Sequence, residues 1–551
     1  MNLLRKNQND SQCVLPSRGN EKLLVPNRLI CNYTKRTAGS EMTVCLQPQS
    51  LQELVMAAVV TNVCQRVRQF LAGFSQHGYI LKRLIPKRTK MPPSSLKPLH
   101  EFLYSNLPPV LCAQLCEELL AAFQNLTREE AEAGVGKSGY GEARWQLMND
   151  VLEALLHPQL WNLNLSLWPS ALASTFYRNV RKLTGLKRLG LQGALRPDAW
   201  LPECLPGLRT LVSVDLRESG SDLLVAALAQ NCPMLAELHL AWAEAVTDRA
   251  VPALLQMRSL HWLDIGETGI SISGVSDLIS GLPSLYEISV GVDLPLEPII
   301  ICQSQCRLSL QHLKLVETRR LEEVLAKTPD LTRLELIAPL CSLAPLSTLP
   351  YLTDLRLDLS PLPPQPNDAV EAVRTANPGR LQHLTLAGCT AVDLPALMSE
   401  CPQLHSLHLM HCSFAVPEHN QEWIPSVVRM PNLQELTLST LQQVQVWFIL
   451  EHLLPAARMS LRHLTVDTVM VPCVGSHRLG NLLLAAPLPA IETLALRGKI
   501  LLTASTLRHF ANTNPSLRSL GRVEFWDRVT SEDLRYLRED LCGANKRLTI
   551  L

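Results

Sequence analysis

Residues 401–412 read CPQLHSLHLMHC, and within them Leu404–Leu409 (LHSLHL) places apolar side chains at the first, fourth and sixth positions of a six-residue phrase. Positions four and six are two residues apart. On an extended chain Leu407 and Leu409 therefore point to one side and His408 to the other. Pro402, two residues ahead of the phrase, cannot continue a helix and biases the residue before it towards extended backbone, so it marks the turn into a strand. A lone strand of this kind cannot bury its apolar side unaided, and the rest of the chain supplies the cover.

The phrase recurs along about the C-terminal seven-tenths of the sequence. It starts at Leu160 (LWNLNL), Leu186 (LKRLGL), Leu211 (LVSVDL), Leu235 (LAELHL), Leu260 (LHWLDI), Leu285 (LYEISV) and Leu310 (LQHLKL). It continues at Leu331 (LTRLEL), Leu352 (LTDLRL), Leu381 (LQHLTL), Leu404, Leu433 (LQELTL), Leu461 (LRHLTV) and Ile491 (IETLAL). Successive starts are 21 to 30 residues apart, and this pattern resembles the leucine-rich repeat. The resemblance implies an α/β solenoid with a curved parallel sheet inside and helices outside.

The residues agree with that architecture on their own terms. Stacking the strands aligns positions four and six into an apolar column, as with Leu163 and Leu165 or Leu238 and Leu240. Between phrases, Asp222–Gln230, Val275–Ser280 and Leu321–Lys327 carry apolar residues at helical spacing and are expected to cover the column. Prolines at 233, 283, 329, 350, 431 and 489 repeat the role of Pro402. Cys389 and Cys412 fall at position nine, where a small side chain packs inside the turn and a buried structural thiol is expected. The phrases degrade at Leu517–Arg522 (LRSLGR) and Asn545–Ile550, which read as a terminal cap.

At 551 residues the chain exceeds one compact core. Its 51 Lys and Arg balance 50 Asp and Glu, so charge gives no general attraction to nucleic acid or to an anionic membrane. No apolar run is long enough to span a bilayer, and Met1–Asp10 lacks an apolar signal core. The 16 cysteines show no framework spacing, so reduced thiols and a cytoplasmic or nuclear location are expected.

Ahead of the repeats, residues 1–49 lack periodicity and read as mostly disordered, and 50–155 read as a small α-helical module. Three helices are expected in it, the first from Ser50, the second over Pro108–Phe123 and the third over Glu142–Leu156. Leu51, Leu54, Val55 and Val59 share one face of the first, and Leu107-Pro108-x-x-Leu111-x-x-x-Leu115 opens the second. The first set resembles the box with which substrate receptors bind Elongin C, although Val55 stands where a cysteine is usual. The second is similar to the cullin-contacting box of VHL-type receptors, although a long gap containing the basic run Lys82–Lys90 separates the two. Their order ahead of repeats is similar to the ZYG11 and ZER-1 receptors, and CPMLAELHL (232–240) resembles the cysteine-containing repeats of F-box receptors. These resemblances imply a substrate-recognition subunit of a cullin-RING ubiquitin ligase, with Elongin B/C or a Skp-type adaptor and a cullin on the N-terminal helices. The same residues equally suit helices that cap the solenoid of a scaffold unconnected with ubiquitin. Leu107-Pro108-Pro109 also suits the opening of an F-box, but no tryptophan motif follows it.

Signals of catalysis do not assemble. Ala131-x-x-x-x-Gly136-Lys137-Ser138 fits a relaxed phosphate-loop pattern but follows a charged helical run, not a buried strand. His405, His408, His411 and Cys412 occupy positions two, five, eight and nine, so alternation parts them and no metal is expected. Cys302-x-x-x-Cys306 has no second ligand pair. With no nucleophile motif and no cofactor signature, a non-catalytic protein is expected.

Repeat phase instead maps a binding surface. Positions three, five and seven or eight face out from the concave sheet, and on repeats three to six they carry Asp215, Glu218, Glu237, Asp264, Glu267 and Glu287 around Trp242 and Trp262, interrupted chiefly by Arg217 and His239. Such a surface suits a protein partner carrying Lys or Arg. On the following repeats the sign changes, through His312, Lys314, Arg333, Arg356, His383, His405 and His408, diluted by Glu335 and Asp354.

Overall fold

The structure, a computed structural model, describes residues 58–65, 109–132, 141–166 and 168–550, the last with interruptions at 170–171, 193–196, 292–293, 305–306, 362–367, 415–428, 440–442, 468–480, 482–486, 498–502, 522–528, 531 and 537–548. All of them lie in one compact unit, Pro48–Leu551. The expectations for residues 1–49, for the basic run Lys82–Lys90 and for Gly136-Lys137-Ser138 fall outside the described residues.

Every phrase lays down a strand. The first six are three residues long: β1 (Asn162–Asn164), β2 (Arg188–Gly190), β3 (Ser213–Asp215), β4 (Glu237–His239), β5 (Trp262–Asp264) and β6 (Glu287–Ser289). Five-residue strands follow: β7 (His312–Val316), β8 (Arg333–Ile337), β9 (Asp354–Asp358), β10 (His383–Ala387), β11 (Ser406–Met410), β12 (Glu435–Ser439), β13 (His463–Asp467) and β14 (Thr493–Arg497). The weakened phrases expected to form a cap still add two rungs, β15 (Ser519–Gly521) and β16 (Thr549–Ile550). All sixteen join in one sheet in strictly sequential order. The pairing is parallel and in phrase register, for example Leu384↔Leu407↔Leu436. The chain is a leucine-rich-repeat solenoid.

Alternation is what buries the column. The leucines at positions four and six, such as Leu238, Leu240, Leu407 and Leu409, are at most 1% exposed and belong to one continuous core. Outer helices form where expected, over Asp222–Asn231, Ile272–Gly281 and Leu321–Lys327. Acids at the start of the outer arc staple one turn to the next. The Asp222 carboxylate accepts from Thr247 N (2.7 Å) and Oγ1 (2.8 Å), Asp248 accepts from Ser271 N (2.8 Å), and Glu297 from Arg319 N (2.8 Å) and Arg320 N (3.0 Å). Cys389 and Cys412 are buried at adjacent turns. Cys412 Sγ donates to Leu386 O at 3.3 Å, and the Cys389 thiol is pushed up by its bond with Cys412 and by burial.

Position eight holds a conformation that the phrase did not reveal. Glu218, Trp242, Glu267, Glu317, Ala338, Gly388 and His411 all have φ between 49° and 66°. Only one of them is the glycine that suits such backbone. The N–H there donates to the position-seven carbonyl of the next turn, as in Trp242 N to Gly266 O (2.8 Å) and Ala338 N to Asp358 O (2.8 Å). That bond continues the ladder past the strand end and offsets the strain.

The sheet has one thin place. Most neighbouring strands register over three or five residues, but β6 and β7 share only Glu287↔His312. The His312 Nδ1–Glu287 Oε2 contact at 2.5 Å reinforces that single pair.

The N-terminal helices continue the same core. Helix α1 spans Pro109–Glu132, nine residues further than the expected end at Phe123, and α2 spans Gly141–Leu155. Leu115, Leu119, Phe123 and Leu126 of α1 and Leu147, Val151 and Leu155 of α2 are buried. Gln124 Nε2 donates to Ser166 O at 2.7 Å, and Glu117 Oε1 accepts from Asn162 N at 3.1 Å, which docks α1 on the first rung.

Candidate functional site

The open side of the sheet carries Asp215, Glu237, Trp262, Asp264 and Glu287, and strand register arranges them as a grid. Glu237, Trp262 and Glu287 are successive members of one row, bounded by Ser213 and His312. Asp215, His239, Asp264 and Ser289 form the row beside it. The His239 and Trp262 rings are 3.9 Å apart between centroids and inclined at 47°. Four carboxylates thus surround one aromatic pair.

Those carboxylates are not equivalent. Arg217 grips Asp215 with Nη2–Oδ2 at 2.6 Å and Nε–Oδ1 at 3.0 Å. Burial would raise the Asp215 pKa, yet the hydrogen bonds and charge of Arg217 outweigh it and hold the carboxyl below its ordinary value. Glu287 is held low in the same way. Burial opposes ionisation, and the bonds from His312 and from the Trp262 side chain prevail. Asp264 Oδ1 accepts only a backbone N–H, from Gly266 at 3.1 Å, and Glu237 has no ion-pair partner among the described residues.

Trp242 and Glu267 lie at position eight, in the left-handed conformation at the ends of their strands. Trp242 is 64% exposed, a large indole surface left open to solvent, whereas Trp262 is half-buried. The Glu267 carboxylate lies close against Gly291 on the next turn.

Beyond β6 the face changes character. Glu335 takes both Lys314 (3.9 Å) and Arg356 (3.4 Å), and Arg333 meets Asp354 at 3.3 Å. Further pairs are Arg462–Glu492 and Arg497–Asp467, while His408, whose pKa burial lowers, lies 3.8 Å from Glu435. The basic half expected from sequence is therefore largely neutralised from strand to strand. Among the described residues no cluster of His, Cys, Asp or Glu could hold a metal ion, and no helix is long and apolar enough to cross a membrane.

Of the eight candidate adaptor-binding residues, Leu51, Leu54, Val55, Leu107 and Pro108 lie outside the described residues. Val59, in a helix over 58–65, is half-buried against the solenoid core, Leu111 is half-buried and Leu115 is buried. Val110, next to Leu111 in α1, is 49% exposed.

Fold and face together define the class, a leucine-rich-repeat solenoid closed at its N-terminal end by helices and open along its sheet. No protein-family model and no curated protein sequence matches the chain. Among the solved structures similar to it are these three. One is the internalin InlF of Listeria monocytogenes, 14% identical over 68% of this chain and 82% of that one (TM-score 0.27). A leucine-rich-repeat protein of Leptospira interrogans is 15% identical over 73% and 91% (0.27). The Rad7 and Elc1 complex of yeast gives 13% over 86% and 93% (0.35).

Proposed function

We propose that this chain is a non-catalytic, protein-binding scaffold, and that within this role it is the substrate-recognition subunit of a cullin-RING ubiquitin ligase. The observation that carries the scaffold reading is the uninterrupted face of sixteen parallel strands, whose convex side is covered and whose other side presents charged and aromatic groups. A rigid sheet face of this kind recognises a polypeptide through fixed side chains and needs no chemistry of its own. Support for the ligase role is the order of the two resemblances, Leu51 to Val59 and then Leu107 to Leu115, ahead of the repeats. In this reading the N-terminal helices take Elongin B/C or a Skp-type adaptor and a cullin. The solenoid holds the substrate, and the partner ligase acts on it by proximity.

One observation favours the second reading, a scaffold whose helices only cap the array. Leu115 is buried and Val59 is packed against the core, so both already cover the end of the solenoid. Co-purification of the full chain with Elongin B/C and a cullin, abolished by Leu51→Ser, is the result expected of a receptor. Recovery of a repeat-bound partner with no adaptor at all leaves the capping scaffold.

A further inference from the structure

We infer that the face of β3–β6 binds an extended polypeptide segment through its arginine or lysine side chains, the cation lying on the His239–Trp262 ring pair between Glu237 and Asp264. The inference rests on the sheet being the substrate-binding face and names the chemistry of that substrate.

The argument begins with what the rest of the sheet does with its charges. From β7 onward most carboxylates of the face are met by cations of the neighbouring strand, Glu335 by two of them, with Asp358 and Glu435 the exceptions. Around the ring pair this pairing stops halfway. Arg217 satisfies Asp215 and His312 satisfies Glu287, while Glu237 and Asp264 have no ion-pair partner among the described residues. Both are fixed on strands, half-buried, on either side of an aromatic surface.

A guanidinium or ammonium group answers this arrangement in two ways at once. Its charge is attracted by the ring face, and its N–H groups can donate to flanking carboxylates. His239 does not take the place of that cation. Burial lowers its pKa, and Arg217 adds repulsion, against the opposing pull of Asp215, Asp264 and Glu237, so the imidazole is neutral near pH 7. A phosphate backbone would be repelled by the same carboxylates.

Trp242 argues for a chain and not a small amine. Its backbone is bonded to Gly266, two residues past Asp264, and its indole is 64% exposed. It offers a second contact for the aliphatic stem or neighbouring side chain of a longer ligand.

The test uses the full chain and fluorescence anisotropy of labelled nonapeptides of alternating glycine with arginine, serine or glutamate. Saturable binding of the arginine peptide alone is expected. Glu237→Gln with Asp264→Asn should weaken it by roughly tenfold, and Trp242→Ala, at an exposed position, by several-fold. Removing the same number of charges on distant rungs, with Glu435→Gln and Glu492→Gln, should change it by less than about twofold. Equal binding of the serine peptide, no binding of the arginine peptide, or equal weakening by the distant pair each overturns the inference. Should the double variant fail to fold, Trp242→Ala decides, and unchanged affinity in it also overturns the inference. Adaptor co-purification reads out separately. A chain that recovers Elongin and a cullin but ignores the arginine peptide keeps the receptor role and loses this substrate chemistry.

Discussion

The backbone at position eight sets the terms at the scale of single residues. A left-handed conformation costs an L-residue about 1–2 kcal/mol, which the bond to the next turn has to offset. Glu317 is exposed there with φ 51°, so its side chain contributes little that glycine would forfeit. Glu317→Gly should raise stability by about 0.5–1 kcal/mol, the relief of strain being partly cancelled by the freer unfolded chain. Gly388→Ala should do the opposite, by ~3 kcal/mol, because a Cβ at that position would lie 2.4 Å from Ser360 N, a backbone atom that cannot swing aside. Urea midpoints of the two variants check both signs, and a destabilised Glu317→Gly would show that the turn is not strained. None of this was legible beforehand. The usual signal is a glycine, and six of the seven residues at this position are something else.

Among elements, the coupling between turns comes from the outer arc as well as from the sheet. Asp222 sits in the first turn of the helix Asp222–Asn231 and holds two groups of Thr247 on the following repeat. Removing it leaves a half-buried amide and a hydroxyl without their charged acceptor. Asp222→Ala should therefore cost ~2 kcal/mol, whereas Asp277→Ala on an exposed helical surface should cost less than about 0.5 kcal/mol. Equal thermal shifts for the two would remove the staple from the account. The strands and outer helices themselves were readable, because period two and period 3.6 leave direct marks such as Leu407 with Leu409 and the run DLLVAALAQ. The positions of the acidic and aromatic groups followed from repeat phase too. Their differing electrostatic states did not. Whether Asp215 is gripped by Arg217, two residues along, depends on side-chain rotamers that spacing does not determine.

Over the whole molecule, stability in an array is a sum of turns and of the contacts between neighbours, and it parts where those contacts are weakest. The join of β6 to β7, with one registered pair between a block of three-residue strands and a block of five-residue strands, is where parting is expected. Two calorimetric transitions are expected. Leu238→Ala should shift only one and Leu407→Ala only the other, each by about 2–5 kcal/mol, since both leucines are wholly buried. A single transition moved alike by both would show that the outer helices weld the blocks together.

The narrow join between β6 and β7 also bears on how the protein is made. A turn of this ladder gains stability only when its neighbour is present, so a growing polypeptide emerging from the ribosome ordinarily has no good stopping point. Here the helices α1 and α2 with the first six rungs can bury their leucines against one another before His312 has been synthesised. On that basis the second block is expected to nucleate on a finished edge, so that the long chain would be assembled in two short acts.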